Sequence, residues 1–241
     1  MQNKLQVLQE MIDTSNRIVF LGGAGVSTAS GIPDFRSANG LYKQQQQYDP
    51  ETMLSHTFFR QHTEEFYDYY KKNLLRLDVK PNIAHYKLAE LEAKGKLKAI
   101  VTQNIDGLHQ AAGSKNVYEI HGSIHRNTCT QCGKQYSAEY VKHSNGVPVC
   151  SVCGAVVKPD VVLYEEQLPQ DVLGDACEWV GVADMLIVAG TSLSVYPANS
   201  LVYRYYGDKL VIINKTPTEK DHKANLIIRA GIGDVLDNIR I

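Results

Sequence analysis

The sequence of 241 residues has almost no net charge and no long run of apolar residues. Lys and Arg number 25 and Asp and Glu number 26, so a formal charge of −1 supplies no overall field for nucleic acid or an anionic membrane. The longest apolar runs, such as Met185–Ala189, are far too short to cross a bilayer. Residues Met1–Arg17 contain no apolar core of a signal peptide, so we expect a cytoplasmic protein with no membrane or direct nucleic-acid partner.

Cysteine and tryptophan are also scarce, with five and one respectively. Apolar residues make up 44% and charged residues 21%, values that are ordinary for globular proteins and exclude a disordered chain. A chain of this length buries a core without disulfides, and cytosolic thiols stay reduced. The length favours one large domain, or one domain with an insertion.

Short unbroken apolar runs recur along the chain and indicate buried parallel strands, because they show no polar alternation. The segments between them are long enough for crossover helices. Leu5, Leu8 and Ile12 mark one helical face before the first run, and a helical stretch that ends with Glu90–Lys98 precedes the second. The pattern predicts an α/β fold with a doubly wound, Rossmann-like parallel sheet. The predicted strands are Ile18–Leu21, Ala99–Val101, Met185–Ala189, Leu210–Ile213 and Leu226–Ile228.

Two stretches do not fit simple crossovers between strands. Residues 39–80 are polar and rich in aromatic residues, which predicts a small helical insertion. Residues 123–160 contain four of the five cysteines, which predicts a second, zinc-binding insertion. The Rossmann-like domain is then assembled from residues 1–38, 81–122 and 161–241.

The four clustered cysteines form two C-x2-C pairs separated by seventeen residues, which is zinc-ribbon spacing. Two such turns close a tetrahedron of thiolates, and four thiolates leave no open position for catalysis, so we expect one structural zinc. A nucleic-acid-binding ribbon is the alternative, but residues 123–160 hold only four Lys or Arg against two acidic residues. The predicted ligands are Cys129, Cys132, Cys150 and Cys153.

A glycine-rich turn follows the first predicted strand and should open a helix that Pro33 soon breaks. Backbone N–H groups in such a turn can hold a diphosphate, with glycines at Gly23 and Gly25 allowing close approach. By itself the match is weak, because Thr28 stands where a third glycine is usual and no acid follows about 20 residues on. A plain turn of an α/β protein is the alternative.

These features together resemble the sirtuins, which are NAD-dependent protein lysine deacylases, and the resemblance covers nearly the whole chain. The motifs that carry it are Gly23–Ser27 with Gly31–Arg36, Thr102–Asp106, His121–Gly122, the four-cysteine ribbon, Gly190–Leu193 with Val195–Ala198, and Ile213–Asn214.

The resemblance implies a reaction that consumes NAD rather than reducing it. The acyl group of a lysine is transferred to ADP-ribose, and nicotinamide leaves and acts as a product inhibitor. His121 matches the catalytic general base, a role that suits a neutral imidazole near pH 7, and Asn104 matches the second catalytic residue. The other seven histidines match no catalytic motif, so we expect surface or structural roles for them.

The resemblance also assigns the cofactor contacts, in four groups. They are the diphosphate turn (Gly23, Ala24, Gly25, Thr28), the loop that covers the cofactor (Asp34, Phe35, Arg36), the ribose and nicotinamide pocket (Gln103, Asn104, Ile105, Asp106, His121), and the far ribose, phosphate and adenine contacts (Gly190, Thr191, Ser192, Asn214, Ile232).

For the acyl-lysine peptide the implied contacts are Tyr67, Val162, Tyr164 and Glu165. Glu165 departs from the family, which usually has glycine there, although backbone pairing with a substrate strand does not require a particular side chain. Family members that remove acidic acyl groups have arginine three residues after the tyrosine that matches Tyr67, and this chain has Tyr70. We therefore expect a preference for acetyl and other neutral acyl groups.

Three other functions compete with the deacylase interpretation. A mono-ADP-ribosyltransferase or NAD hydrolase would release nicotinamide without deacylating lysine, and a nicotinamide dehydrogenase would reduce the cofactor. A non-catalytic NAD- and zinc-binding interaction module is disfavoured because His121, Asn104 and Asp106 are all present.

Overall fold

The computed structural model describes residues 1–34, 40 and 48–241, and its centre is a six-stranded parallel sheet in the order β3-β2-β1-β7-β8-β9. The sheet confirms the predicted α/β class, and all five predicted strands are present in it. Its strands are β1 (Ile18–Gly22), β2 (Leu97–Thr102), β3 (Val117–Glu119), β7 (Met185–Ala189), β8 (Leu210–Ile213) and β9 (Leu226–Ile228).

Helices cover both faces of this sheet, as the absence of polar alternation in its strands predicts. Ile18 and Phe20 of β1 pack on one face, in a core shared with α1, α5 and α9, whereas Val19 and Leu21 pack on the other against α8. The helices of this domain are α1 (Gln2–Asp13), α5 (Ile83–Ala93), α6 (Leu108–Ala111), α8 (Gln170–Val182) and α9 (Ile232–Leu236).

A smaller unit with its own core lies beside the large sheet. It contains a three-stranded sheet in the order β5-β4-β6, together with helices from both predicted insertions. Phe66 of one insertion and Val141 of the other belong to the same buried cluster, so the two insertions stabilise each other. The elements are α2 (Pro50–Met53), α3 (His56–Gln61), α4 (Thr63–Asn73), β4 (Gly122–Cys129), β5 (Gln135–Tyr136), α7 (Ala138–His143) and β6 (Val157–Val161).

Two local expectations were wrong. The glycine-rich turn is followed by two 3-10 helices, Ala24–Val26 and Thr28–Ser30, instead of a regular helix. Helix α5 ends at Ala93 and does not reach Lys98, because Gly95 adopts a left-handed φ of +72° and turns the chain into β2. In the part of the chain that the structure describes, no helix is long and apolar enough to span a bilayer.

Candidate functional site

The carboxyl edge of the large sheet brings together most of the polar residues that the motifs predict. The final residue of β1, Gly22, lies opposite Thr102 of β2 on one side and opposite Ala189 of β7 on the other. Parallel strands present their carboxyl ends at one edge, which is where α/β proteins bind ligands. The segments after these three strands therefore form a single surface.

The glycine turn after β1 packs directly on the turn after β7. The N–H of Gly25 donates to the carbonyl of Gly190 over 2.8 Å. A Cβ atom on Gly25 would lie 2.7 Å from Cα of Gly190, and one on Gly23 would lie 2.8 Å from Cβ of Thr191. Glycine is thus required by the close approach of two backbones, and that approach places Thr191 beside the turn.

Ser27, Asn104 and Asp106 form a chain of hydrogen bonds at this edge. Ser27 Oγ donates to Oδ2 of Asp106 over 2.6 Å, and Asn104 Nδ2 donates to Ser27 Oγ over 3.0 Å. The other carboxylate oxygen of Asp106 accepts from the N–H of Leu108 over 3.0 Å. The predicted contacts omit Ser27, whose only signal in the sequence is its place in the glycine-rich motif.

Gln103 joins the segment after β2 to the segment after β7. Its Nε2 donates to Oγ1 of Thr191 over 3.0 Å, and the same hydroxyl oxygen accepts from the N–H of Leu193 over 3.2 Å. Because the hydroxyl oxygen of Thr191 accepts both bonds, its hydrogen remains available to donate to a ligand. The carbonyl of Ile105 accepts from the N–H of Ile124 over 3.0 Å, so this loop is also fixed to β4.

His121 lies just beyond β3 and hydrogen-bonds to the same loop. Its Nδ1 is 3.0 Å from the carbonyl oxygen of Gln103. Since a carbonyl only accepts, Nδ1 carries the hydrogen and Nε2 is the basic nitrogen of the neutral ring. Burial lowers the pKa of His121 below its ordinary 6.5, and the hydrogen bond to the Gln103 carbonyl partly offsets this decrease. The imidazole is therefore neutral near pH 7, as a general base requires.

Two further histidines, His85 and His109, are buried near this site with ring centroids 4.8 Å apart. Burial lowers the pKa of His85 to about 4, which the charge of Asp106 partly opposes, and the pKa of His109 to about 3. Nδ1 of His85 accepts the N–H of Asn82 at the start of α5, whereas neither nitrogen of His109 has a hydrogen-bond partner among the described residues. Both residues belong to the core.

The remaining predicted cofactor contacts are distributed around this edge. Ser192 follows β7, and Asn214 follows β8 with its Nδ2 donating to the Thr216 carbonyl over 3.0 Å. The side chain of Ile232 is buried in the core at the start of α9, so only its backbone is available to a ligand. Phe35 and Arg36 lie outside the described residues, and Asp34 is the last described residue before them.

The residues expected to contact the peptide fall into two groups. Val162, Tyr164 and Glu165 follow β6, and the N–H of Val162 donates to the carbonyl of His121 over 2.9 Å, which joins this segment to His121. Tyr67 is instead fully buried in the smaller unit, where its hydroxyl donates to the carbonyl of Val157. In this arrangement the Tyr67 hydroxyl is not available to an acyl group.

The sulfur atoms of the four clustered cysteines lie within 4.8 Å of one another. Cys129 and Cys153 are 3.4 Å apart at Sγ, and Cys132 and Cys150 are 3.5 Å apart. Four thiolates at about 2.3 Å from one zinc would lie about 3.8 Å apart, whereas a disulfide would need about 2.05 Å. The donor set and its spacing fit a tetrahedral zinc site.

Neighbouring donors favour the ionised form of the Cys150 thiol. The hydroxyl of Tyr136 donates to Sγ of Cys150 over 3.1 Å, and the N–H of Val152 donates to the same sulfur over 3.4 Å. The bond from Tyr136 is the main cause that lowers the pKa of Cys150 to about 5. A thiolate is the form that binds zinc.

Comparison with known proteins gives a consistent result. Residues 23–197 match the model of the Sir2 family. An NAD-dependent protein deacetylase of Clostridium acetobutylicum is 55% identical over 240 residues, which cover 98% of this chain and 98% of that protein. A protein of the same description from Clostridium perfringens is 54% identical over 242 residues, which cover 99% of each.

Solved structures agree with this similarity. A Sir2 variant with deacetylated p53 peptide and 3′-O-acetyl ADP-ribose is 40% identical with a TM-score of 0.91, and the match covers 97% of this chain and 96% of the other. A Sir2 structure with p53 peptide and NAD⁺ is 40% identical with a TM-score of 0.88, covering 97% and 95%.

Proposed function

This chain belongs to the Sir2 family, and from that premise we propose that it is an NAD-dependent protein lysine deacetylase. The reaction converts acetyl-lysine, NAD and water into lysine, O-acetyl-ADP-ribose and nicotinamide. The observation that carries the proposal is the neutral His121, whose Nε2 carries the basic lone pair, beside the hydrogen-bonded chain of Ser27, Asn104 and Asp106. We further propose a cytoplasmic location and inhibition by the nicotinamide product.

The residues of the glycine turn and of the loop after β2 would hold NAD. The turn at Gly23–Gly25 and the hydroxyl of Thr191 suit the diphosphate and its neighbouring ribose. Asp106 is held by Ser27 and by the N–H of Leu108, and each of its oxygens keeps a second lone pair that can accept from a carboxamide NH2. The loop geometry is thus set by protein bonds before a ligand binds, which reduces the cost of binding.

When bound, NAD supplies an electrophilic ribose carbon and nicotinamide as leaving group. His121 accepts the proton of a ribose hydroxyl at Nε2, and the positive charge that develops on its ring is stabilised by the Gln103 carbonyl at Nδ1. Asn104 is oriented from two sides, since its N–H donates to Thr102 Oγ1 over 3.0 Å and its Nδ2 to Ser27. Its amide oxygen is left to accept a ribose hydroxyl.

Zinc has a structural role in this proposal. Four cysteine ligands complete a tetrahedron and leave no open position, and the metal supplies folding energy to the smaller unit that carries β6. The segment that follows β6 includes Val162, Tyr164 and Glu165, so zinc supports the peptide side of the site indirectly.

The decisive experiment incubates the purified protein with NAD and an acetyl-lysine peptide and follows all products by mass spectrometry. We expect deacetylated peptide, nicotinamide and O-acetyl-ADP-ribose in equal amounts. ADP-ribosylated peptide, or free ADP-ribose without deacetylation, would instead identify a transferase or an NAD hydrolase. Reduced cofactor in the absorbance spectrum would identify a dehydrogenase, and unchanged NAD would indicate a binding module.

A further inference from the structure

The segment Leu163–Glu166, which follows β6, is paired along one edge with the connection between α2 and α3. The N–H of Tyr164 donates to the carbonyl of Leu54 over 3.0 Å, and the carbonyl of Tyr164 accepts from the N–H of His56 over 3.0 Å. These bonds form a parallel bridge between Ser55 and Tyr164. The N–H of Glu166 donates to the carbonyl of Leu163 over 3.0 Å, so residues 163–166 form a turn, and the backbone N–H and carbonyl of Glu165 take no part in the bridge.

Glu165 adopts a backbone conformation that disfavours most side chains. Its φ is +75°, in the left-handed region that glycine adopts without strain. Its backbone N–H and carbonyl have no hydrogen-bond partner among residues 1–34, 40 and 48–241. A glutamate in this conformation needs a compensating interaction from its own side chain.

The side chain of Glu165 supplies that interaction at the start of α3. Its Oε2 accepts from the N–H of Thr57 over 2.9 Å and from Oγ1 of Thr57 over 2.7 Å. Hydrogen bonds to a carboxylate are stronger than those between neutral groups. The carboxylate therefore adds a side-chain link between the peptide-side segment and the helical insertion, which a glycine at this position would lack.

The carboxylate of the next residue, Glu166, also holds this segment, through contacts at the start of α3 and on β6. Its Oε1 lies 2.9 Å from Nδ1 of His56, and its Oε2 accepts from Lys158 Nζ over 3.1 Å and from the N–H of Leu163 over 2.9 Å. The carboxylates of Glu165 and Glu166 thus both fix this segment of four residues, while the backbone N–H and carbonyl of Glu165 have no partner in the described part of the chain.

We propose that Glu165 is a positioning residue for the peptide substrate, whose carboxylate clamps the segment Leu163–Glu166 to Thr57 and thereby presents the unpaired Glu165 backbone to an acyl-lysine strand. The inference rests on the proposed deacetylase function. Strand addition gains affinity from backbone hydrogen bonds, and a segment that is already ordered loses less entropy when the peptide binds. The effect of the clamp therefore falls on peptide affinity and not on the chemical step.

The test compares peptide KM, NAD KM and kcat for the parent protein with Glu165→Ala, which removes the clamp and keeps the strained backbone position. We expect the peptide KM to rise about 3- to 10-fold, because the two charge-assisted hydrogen bonds to Thr57 are lost while the backbone strain is unchanged. NAD KM and kcat should stay within about twofold. Glu64→Gln is the matched control, since Glu64 is an exposed carboxylate of the same insertion, and it should change none of the three values.

A double-mutant cycle separates a clamp from a general structural role. Thr57→Val removes the hydroxyl donor, and once Glu165→Ala is present this second change should add little to the peptide KM. Independent, fully additive effects would overturn the proposal, as would a Glu165→Gly variant that binds peptide as tightly as the parent.

Hydrogen exchange gives a readout that does not depend on activity. In Glu165→Ala the amide of Tyr164 should exchange faster than in the parent, while amides of β7 should keep their protection. A parent protein that deacetylates no peptide would refute the proposed function alone. An active parent whose Tyr164 amide is equally protected with and without the Glu165 carboxylate would refute the clamp alone.

Discussion

The hydroxyl of Tyr136 lies 3.1 Å from Sγ of Cys150, and its oxygen accepts the N–H of Ser151 over 2.8 Å. Oγ of Ser151, which accepts from Lys134 Nζ, lies 3.1 Å from the same hydroxyl and can donate to its oxygen, which leaves the Tyr136 hydrogen for the sulfur. Tyr136 therefore connects β5 to the second cysteine pair, in the position from which outer donors commonly orient metal ligands. A substitution of Tyr136 can therefore measure its effect on zinc binding without changing any of the four cysteines.

The first prediction is that each chain binds one zinc ion through the four clustered cysteines. Elemental analysis of protein purified without chelator should give one zinc per chain. Cys129→Ala should lose the metal and unfold the smaller unit, because a structural zinc supplies much of the folding free energy of its site. Zinc retained by a Cys129→Ala, Cys150→Ala double variant would show that other residues bind it.

The second prediction concerns the rate of zinc loss. Tyr136→Phe removes the hydroxyl but keeps the ring that packs on Tyr140 with a centroid separation of 4.4 Å. We expect chelator-driven zinc release to be about 10-fold faster, in the range that outer-ligand partners usually contribute. Tyr140→Phe is the control, because its hydroxyl donates to the carbonyl of Val149 and not to a sulfur. Equal release rates in the parent and Tyr136→Phe would exclude this role.

The third prediction concerns His121 and the pH dependence of the reaction. His121→Ala should lower kcat about 10²- to 10⁴-fold, as loss of a general base usually does, with zinc content and fold unchanged. The pKa of His121 lies below 6.5, so the neutral ring persists as the pH falls below 6.5, and activity declines only as the pH passes through the lowered pKa. An acid limb of kcat/KM above pH 6.5, or one that survives in His121→Ala, would contradict the assignment.

The fourth prediction is a preference for acetyl-lysine over succinyl-lysine. Tyr70 is fully buried and supplies no cation, and Nζ of Lys71 already donates to the carbonyl oxygens of Ser144 and Gly146 over 2.7 and 2.6 Å. A succinyl carboxylate would be buried without a positive partner, which is costly. We expect kcat/KM on one peptide sequence to favour acetyl by about 100-fold. Lys71→Met should leave this ratio unchanged, whereas a succinyl preference would mean that another cation serves the pocket.

The fifth prediction concerns acid stability and His109. Between pH 6.5 and about 3 the unfolded chain binds a proton at this residue that the folded chain does not, so the free energy of unfolding decreases as the pH falls through that window. The slope for one such proton is about 1.4 kcal/mol per pH unit. His109→Phe should reduce the slope of stability against pH, measured by urea unfolding between pH 6.5 and 4.5. His109→Leu is the second variant in case the larger ring overpacks, and an unchanged slope in both would contradict the prediction.

Sequence patterns predicted the structure best where residue type and spacing within one short segment decide its conformation. The buried strands Met185–Ala189, Leu210–Ile213 and Leu226–Ile228 have the bounds that their apolar runs predict, because a strand covered on both faces needs an unbroken apolar run. The spacing of the cysteine pairs likewise predicted a cluster of four sulfurs. Motif resemblance named His121 and Asn104, and the structure places both near the carboxyl edge of the sheet.

Other features depend on contacts between residues that are distant in the chain. The regular helix expected after the glycine turn is replaced by 3-10 turns, at a place where Gly23 and Gly25 pack against the turn at Gly190. The bonds from Ser27 to Asp106 and from Gln103 to Thr191 join residues more than 75 positions apart. No local pattern specifies which donors meet across a sheet edge.

By itself, the sequence determined the α/β class, the four-sulfur site and the family, because these depend on residue type and on spacing along the chain. Only the tertiary structure decided which nitrogen of His121 is basic, that Tyr67 donates to the Val157 carbonyl, and that Glu165 reaches Thr57. Each of these depends on a partner supplied by another element. The free energy of a hydrogen bond is set by the position of both groups, and that position exists only in the folded chain.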